Sequence, residues 1–128
     1  MIYLDTTVVL AQALTERRQP PDGFWAKPFV SSRLLEYEVF KRLHALSADT
    51  GRHSDARLLI DRVALVELTP AVLCRALAAF PLPVRTLDGL HLATLHFLRS
   101  EGQVVELATY DQRLSAAALA LGFAIATV

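Results

Sequence analysis

The sequence has little cysteine and no excess of charge, and both absences restrict what the protein can be. Its 128 residues include a single cysteine, Cys74, which excludes an internal disulfide framework and any zinc site built on cysteine pairs. We expect Cys74 to be a small buried hydrophobe. Thirteen basic residues balance thirteen acidic ones, so the broad positive field of a protein that coats DNA is missing. Any contact with nucleic acid must be local.

Long hydrophobic runs are also missing. The longest apolar stretch covers only residues 116–126, whereas a membrane-spanning helix needs about 20 residues. The first five residues contain an acid and no basic residue, unlike a secretory signal. We therefore expect a cytoplasmic, soluble protein with no membrane partner. Hydrophobic residues make up 53% of the chain, which predicts one folded domain over residues 1–128.

Apolar runs alternate with helical periods along the chain. Strands are predicted at residues 2–4, 29–30, 64–68, 104–108 and 123–128. Helices are predicted after a cap at Thr6 or Thr7 and at residues 33–48, 54–63, 71–80, 86–101 and 113–121. Because the apolar runs do not alternate with polar residues, the strands should be buried on both faces. This pattern predicts an α/β fold, an α/β/α sandwich with a short, mostly parallel central sheet of about five strands.

Three aspartates fall at the edges of these elements. Asp5 directly follows the first strand, Asp111 follows the strand at 104–108, and Asp88 lies in the first turn of a helix. Ligands of open parallel sheets bind beyond the carboxyl ends of the strands, so these acids are candidates for a shared site. Each also has an ordinary structural alternative, as a turn former or as a partner of a helix dipole.

The helix at residues 33–48 adds Glu36 and Glu38, and geometry does not choose between them. The two side chains flank the apolar stripe of the helix on opposite sides, so either can border a cleft. Arg42 follows Glu38 by one turn, which makes a surface ion pair the alternative role of Glu38. Carboxylates that converge repel one another until a proton or a divalent cation relieves the repulsion, and hard oxygen ligands favour Mg²⁺ or Mn²⁺.

Four segments carry a family resemblance. They are residues 2–7 (IYLDTT), Val30-Ser31-Ser32 with Glu38-Val39, residues 85–93 (RTLDGLHLA) and residues 109–114 (TYDQRL). With these segments, in this order, the chain resembles the PIN-domain ribonucleases, and most closely the VapC toxins of bacterial and archaeal toxin–antitoxin pairs. The similarity spans almost the whole chain. It implies a PIN-like fold and a Mg²⁺-dependent endoribonuclease that hydrolyses RNA phosphodiester bonds.

The resemblance also implies roles for individual residues. The acids that would catalyse the reaction and hold one or two Mg²⁺ or Mn²⁺ ions are Asp5, Glu38, Asp88 and Asp111. Glu38 is preferred over Glu36 because family members similarly place the acid six residues after the serine pair. Thr6 and Thr109 resemble hydroxyl residues beside the acids that hydrogen-bond a carboxylate or a metal-bound water. His91 is expected to be a helix-packing or hydrogen-bonding residue rather than a proton shuttle.

The family's partners would be an RNA substrate, a second copy of the toxin in a homodimer, and a VapB-like antitoxin that neutralises it by covering the acidic groove. Two other functions remain as alternatives. A phosphatase with Asp5 as its nucleophile would call for an acid at position 7, where Thr7 stands. A catalytically inactive PIN-like scaffold that binds proteins has no need of the four acids, all of which are present.

Overall fold

The structure, a computed structural model, describes all 128 residues and contains five strands and six α-helices, with one turn of 3₁₀ helix at Phe24–Ala26. In chain order the elements are β1 (Ile2–Leu4), α1 (Thr6–Ala13), β2 (Phe29–Ser32), α2 (Leu34–Ala45), α3 (Thr50–Ile60), β3 (Val63–Val66), α4 (Pro70–Leu77), α5 (Thr86–Ser100), β4 (Glu106–Ala108), α6 (Gln112–Ala120) and β5 (Ala124–Ile125). None of the helices combines the length and apolar character needed to cross a membrane.

All five strands are parallel and lie in the order β3-β2-β1-β4-β5. The predicted short parallel sheet is therefore confirmed. β1 lies at the centre, because the chain first adds β2 and β3 on one side of it and later adds β4 and β5 on the other. The carboxyl ends of β1 and β4 adjoin where the strand order reverses, with Leu4 paired to Ala108. This is the position at which open parallel sheets bind ligands.

Helices cover both faces of the sheet, which confirms the α/β/α sandwich. Successive residues of a strand point to opposite faces. Ile2 and Leu4 accordingly belong to a core shared with α1, α2 and α3, whereas Tyr3 belongs to a second core shared with α5 and α6. α4 packs against α5 on this second side. Leu92 and Leu95, on the buried face of α5, are fully enclosed there.

The structure differs from the predictions mainly at the ends of the elements, and the last strand, predicted at residues 123–128, covers only Ala124–Ile125. α3 begins at Thr50, four residues before its predicted start, because the Asp49 side chain caps it by accepting a hydrogen bond from the Arg52 amide. α1 is capped by Asp5 and not by a threonine. Cys74 is exposed, so its predicted burial is wrong. α4 buries only Val72, which leaves Cys74 outside the core.

Candidate active site

Asp5 lies in the turn after β1, and two threonine hydroxyls that are far apart in sequence bond to its side chain. Asp5 is buried, and its Oδ2 accepts hydrogen bonds from Thr7 Oγ1 at 2.6 Å and from Thr109 Oγ1 at 2.8 Å. The Thr109 hydroxyl also accepts a bond from the amide of Asp111, at 2.9 Å. Thr109 therefore links two of the predicted acids. Oδ1 of Asp5 takes part in none of these bonds and is free for a ligand.

Thr6 does not make the carboxylate hydrogen bond that the family resemblance implied. Its hydroxyl is buried and has no hydrogen-bond partner, and Thr7 bonds to Asp5 in its place. The reason is the cap: an N-cap side chain bonds the backbone two or three residues ahead, and the Thr7 amide is the one that Asp5 accepts from. Thr7 Oγ1 also accepts a bond from the Tyr110 amide at 3.0 Å. Contact of Thr6 with a metal-bound water stays a prediction.

Asp111 lies beyond the end of β4 and caps α6. Its Oδ1 accepts hydrogen bonds from the amides of Arg113, at 2.9 Å, and Leu114, at 3.2 Å. An acid at this position is a common cap, because its oxygen accepts from amides that have no partner within the helix. The structural role considered as an alternative for this acid is thus present, and Oδ2 makes no hydrogen bond with the protein.

Asp88 lies in the first turn of α5, as predicted, and makes no hydrogen bond or ion pair. The pKa of this carboxyl is raised, first by partial burial and then by the charges of three neighbouring carboxylates, which are those of Asp111, Asp5 and Glu38. The charge of His91 acts in the opposite direction. Like charges raise a pKa in this way only when they are close. Hydrogen bonds agree with this closeness, since Thr109 bonds to Asp5 and to the amide of Asp111, and Asp88 lies one turn before the partner of Glu38. The structure thus brings the four predicted acids to one end of the sheet.

Glu38 reaches the site from α2 and is held by a histidine of α5. Its Oε1 lies 2.5 Å from Nε2 of His91, whose Nδ1 lies 2.7 Å from the Tyr3 hydroxyl. Tyr3 and His91 are both buried. Burial by itself lowers the pKa of His91, but the hydrogen bond to Glu38 and the nearby carboxylate charges outweigh it, so the pKa is raised. Burial raises the pKa of Tyr3, which keeps its hydroxyl protonated.

The expectation that His91 is a hydrogen-bonding residue is confirmed, but the sequence reasoning missed its two partners. A tyrosine in the middle of a three-residue strand, all of it buried, was the available signal, because a buried tyrosine hydroxyl needs a partner. The predicted alternative for Glu38 is wrong, since it pairs with His91 and not with Arg42.

Glu36 points away from the acids, toward α3. Its Oε2 lies 2.7 Å from the Arg57 guanidinium, and its Oε1 lies 3.8 Å from that of Arg33. These two cations account for its charge on the surface of the protein. The structure therefore distinguishes Glu38 from Glu36, which helical spacing alone left open.

Two arginines border the acids, and the sequence analysis did not single them out. A pocket of about 190 Å³ beside the first turn of α5 is lined by Pro83, Val84, Arg85, Asp88 and Arg113. The side chains of Arg85 and Arg113 make no hydrogen bond or ion pair within the protein and are exposed. An anion that approaches Asp88 through this pocket thus meets two unpaired guanidinium groups.

The donor set fits a hard divalent cation in its chemistry. Four carboxylates supply only oxygen ligands, and a cation would relieve the repulsion that adds to burial in raising the pKa of Asp88. As the side chains stand, no three His, Cys, Asp or Glu residues form a group able to hold a metal ion. Mg²⁺ keeps several waters and binds one or two carboxylates together with substrate phosphates, so it does not require a closed cage of side chains.

The sheet order, the two helical layers and the acids at the carboxyl edge define a PIN-like domain. A solved structure agrees: VapC20 of Mycobacterium tuberculosis, described as a toxin that cleaves the sarcin-ricin loop, superposes with a TM-score of 0.73, covers 100% of both chains and is 17% identical in sequence. At this identity the likeness establishes the fold.

Sequence relatives narrow the class to one family. Ribonuclease VapC35 of M. tuberculosis is 32% identical over 133 residues, which covers 98% of this chain and 95% of the relative. Ribonuclease VapC46 of the same organism is 32% identical over 127 residues, which covers 97% and 95%. No protein-family model matches the sequence. At this identity and coverage, the chain belongs to the VapC ribonuclease family.

Proposed function

We propose that the protein is a toxin that acts as an endoribonuclease dependent on Mg²⁺ or Mn²⁺. The observation that carries this proposal is the gathering of four carboxylates at the carboxyl end of the sheet, where Thr109 bonds to Asp5 and to the amide of Asp111, and Glu38 bonds to His91, one turn after Asp88. The relatives VapC35 and VapC46 are named ribonucleases, which supports RNA as the substrate.

Asp5, Asp88, Asp111 and Glu38 would hold the cation. Bound there, it would supply a hydroxide-like nucleophile and stabilise the charge that develops on the scissile phosphate. The chain's own contribution is orientation: hydroxyl groups of Thr7 and Thr109 fix one oxygen of Asp5, and backbone amides fix one oxygen of Asp111. In each aspartate the other oxygen is left for the site.

The charge distribution suits a polyanionic substrate in spite of the neutral total. When four of the thirteen acidic residues are neutralised in the site, the thirteen basic residues are in excess. Arg85 and Arg113 stand next to Asp88 without a protein partner, where they can bind phosphates that flank the scissile bond. Phosphate contacts of this kind position a nucleic acid without reading its sequence.

Two protein partners belong to the same proposal. A VapB-like antitoxin would neutralise the protein by covering the acids, and a second copy of the chain would form a homodimer. Light scattering of the protein, alone and after addition of a VapB-like antitoxin, measures both associations. In separate assays, we expect the antitoxin to protect RNA from cleavage and to abolish Mn²⁺ binding.

The central experiment measures RNA cleavage by antitoxin-free protein in Mn²⁺, in Mg²⁺ and in EDTA. Glu38→Gln should abolish cleavage, whereas Glu36→Gln, two residues away on the same helix, should retain it because Glu36 is paired with Arg57. Cleavage in EDTA, or equal cleavage by the two variants, contradicts the proposal. A phosphoryl group trapped on Asp5 would instead support the phosphatase, and antitoxin binding without any response to metal would support the inactive scaffold.

A further inference from the structure

Glu38 depends on a buried pair of side chains for its place in the site. We infer that His91 and Tyr3 are positioning residues, which fix the Glu38 carboxylate so that its second oxygen is presented to the cation of the proposed function. The inference therefore rests on that function, and it adds two residues to the machinery that neither touch the substrate nor bind the metal themselves.

The direction of the hydrogen bond between His91 and Glu38 follows from the chemistry of the two groups. A carboxylate only accepts, so Nε2 of His91 carries the proton that is donated to Oε1 of Glu38, over 2.5 Å. On the other side of the ring, Nδ1 lies 2.7 Å from the Tyr3 hydroxyl. The two rings meet edge to face, with an interplanar angle of 88°. His91 cannot turn without breaking both bonds.

Burial prevents water from replacing either bond. Tyr3 is 0% exposed and His91 is 1% exposed, so no solvent reaches the imidazole to replace either bond. The Glu38 side chain is 18% exposed at the opposite end of this chain of bonds. The arrangement thus runs from the interior of the sheet to the rim of the site, and only its carboxylate end meets solvent.

Glu38 needs such support more than the aspartates do. Asp5 and Asp111 have short side chains at helix caps, where backbone amides fix one oxygen of each. Glu38 has a longer side chain in the middle of α2, and its bond to His91 is the only one it makes. That bond also joins α2 and α5, which belong to the two opposite helical layers. Without this bond, the Glu38 side chain would be free to rotate and its Oε2 would have no fixed position.

Substitution of His91 by two amides separates positioning from simple packing. Glutamine places its amide nitrogen near the position of Nε2, from which it can still donate to Glu38. Asparagine places its nitrogen near Nδ1, out of reach of Glu38. Both amides are smaller than imidazole and polar, so a role in packing alone predicts similar losses in the two variants.

The test measures Mn²⁺ affinity by calorimetry on the full chain. His91→Asn should weaken binding about 10- to 100-fold, the usual effect of removing a group that orients a metal ligand, and His91→Gln should retain most of the affinity. Tyr3→Phe, which removes only the hydroxyl, should cause a smaller loss. In a Glu38→Ala background, His91→Asn should cause no further loss. Thermal unfolding of each variant reports on the fold.

Four outcomes overturn the inference. Equal losses in His91→Gln and His91→Asn indicate packing, and a further loss in the Glu38→Ala background shows that His91 does not act through Glu38. If His91→Asn does not fold, wild-type Mn²⁺ affinity in Tyr3→Phe overturns the inference in its place. A nitrogen-detected NMR signal from a protected Nε2 proton, present in wild type and absent in Glu38→Ala, checks the bond without metal, and its absence from wild type is the fourth outcome.

Failure of the inference can be told from failure of the proposed function. If the Mn²⁺ affinities follow the expected order but RNA is not cleaved, the positioning role stands and the substrate is wrong. If wild type cleaves RNA but the two His91 variants bind Mn²⁺ alike, only the inference fails. If wild type binds no Mn²⁺, both are overturned.

Discussion

Replacement of Asp88 by asparagine should stabilise the metal-free protein. The pKa of this carboxyl is raised by burial and by three neighbouring carboxylates, so its charged form is disfavoured in the folded state. Asparagine removes the charge at nearly constant size. The helix dipole acts in the opposite direction, because a negative charge in a first turn contributes about 0.3–1 kcal/mol. We expect burial and the repulsion of the three carboxylates to outweigh this contribution.

The gain should depend on pH with a definite sign. A carboxyl whose pKa is raised on folding contributes its full stability below the unfolded pKa of 3.8 and loses it as the pH rises through the higher folded value. Asparagine does not ionise, so Asp88→Asn should not lose this stability as the pH rises. The two proteins should therefore unfold alike in acid and diverge toward neutral pH, with the variant more stable.

The same variant should lose its response to Mn²⁺. At a concentration ten times the dissociation constant, a ligand that binds only the folded state stabilises it by about 1.4 kcal/mol. For a chain of 128 residues, whose unfolding entropy is about 0.27 kcal/mol/K, this corresponds to a rise of about 5 °C in Tm. Wild type should show this rise and Asp88→Asn should not.

Calorimetric unfolding at neutral pH, in EDTA and in Mn²⁺, measures both effects. Asp55→Asn is the matched control, because Asp55 is an exposed acid of α3 without an ion pair, and it should respond to Mn²⁺ as wild type does. The reasoning is refuted if Asp88→Asn is no more stable than wild type in EDTA, or if Mn²⁺ raises its Tm as much as that of the control.

Three further predictions concern neighbouring residues. Replacing Arg85 and Arg113 by alanine should raise KM for single-stranded RNA and leave kcat unchanged. The slope of log affinity against log salt concentration should become less steep by about 1.4, which kinetics at several salt concentrations measures. Thr109→Val should lower the free energy of unfolding in urea by about 1–3 kcal/mol because it leaves buried groups unpaired, whereas Thr6→Val, whose hydroxyl has no partner, should not. Gly89→Ala should raise stability by about 0.5–1 kcal/mol, since a Cβ there would lie an ordinary 3.6 Å from its neighbours, and cleavage should persist.

The sequence was sufficient for the layers of the fold and less so for the ends of its elements. Runs of apolar residues without alternation are a property of doubly covered strands, so the parallel sheet could be predicted from β1, β3 and β4. The start of α3 could not, because residues 50–55 contain no apolar residue and therefore show no helical period. There the side chain of Asp49 decides where the helix begins.

The site was predictable where a residue's place in its element determines its surroundings. Asp5 and Asp111 follow neighbouring parallel strands, and their positions alone predict an approach. Glu38 was different, because its partner His91 is 53 residues away in sequence and no helical period contains that information. The sequence also could not show that Thr7, and not Thr6, bonds to Asp5. That depends on the geometry of one helix cap, in which the two adjacent threonine side chains point in different directions.

The central position of β1 has a consequence for synthesis. Asp5 leaves the ribosome long before Thr109, which lies 104 residues later and supplies one of the two hydroxyls that bond to it. Until β4 and the turn after it emerge, one edge of β1 has no neighbour and Asp111, one of the four acids, is missing. The order of synthesis therefore delays the site until β4 and the turn after it are in place. A nascent chain that carries only the first three strands holds no assembled nuclease centre.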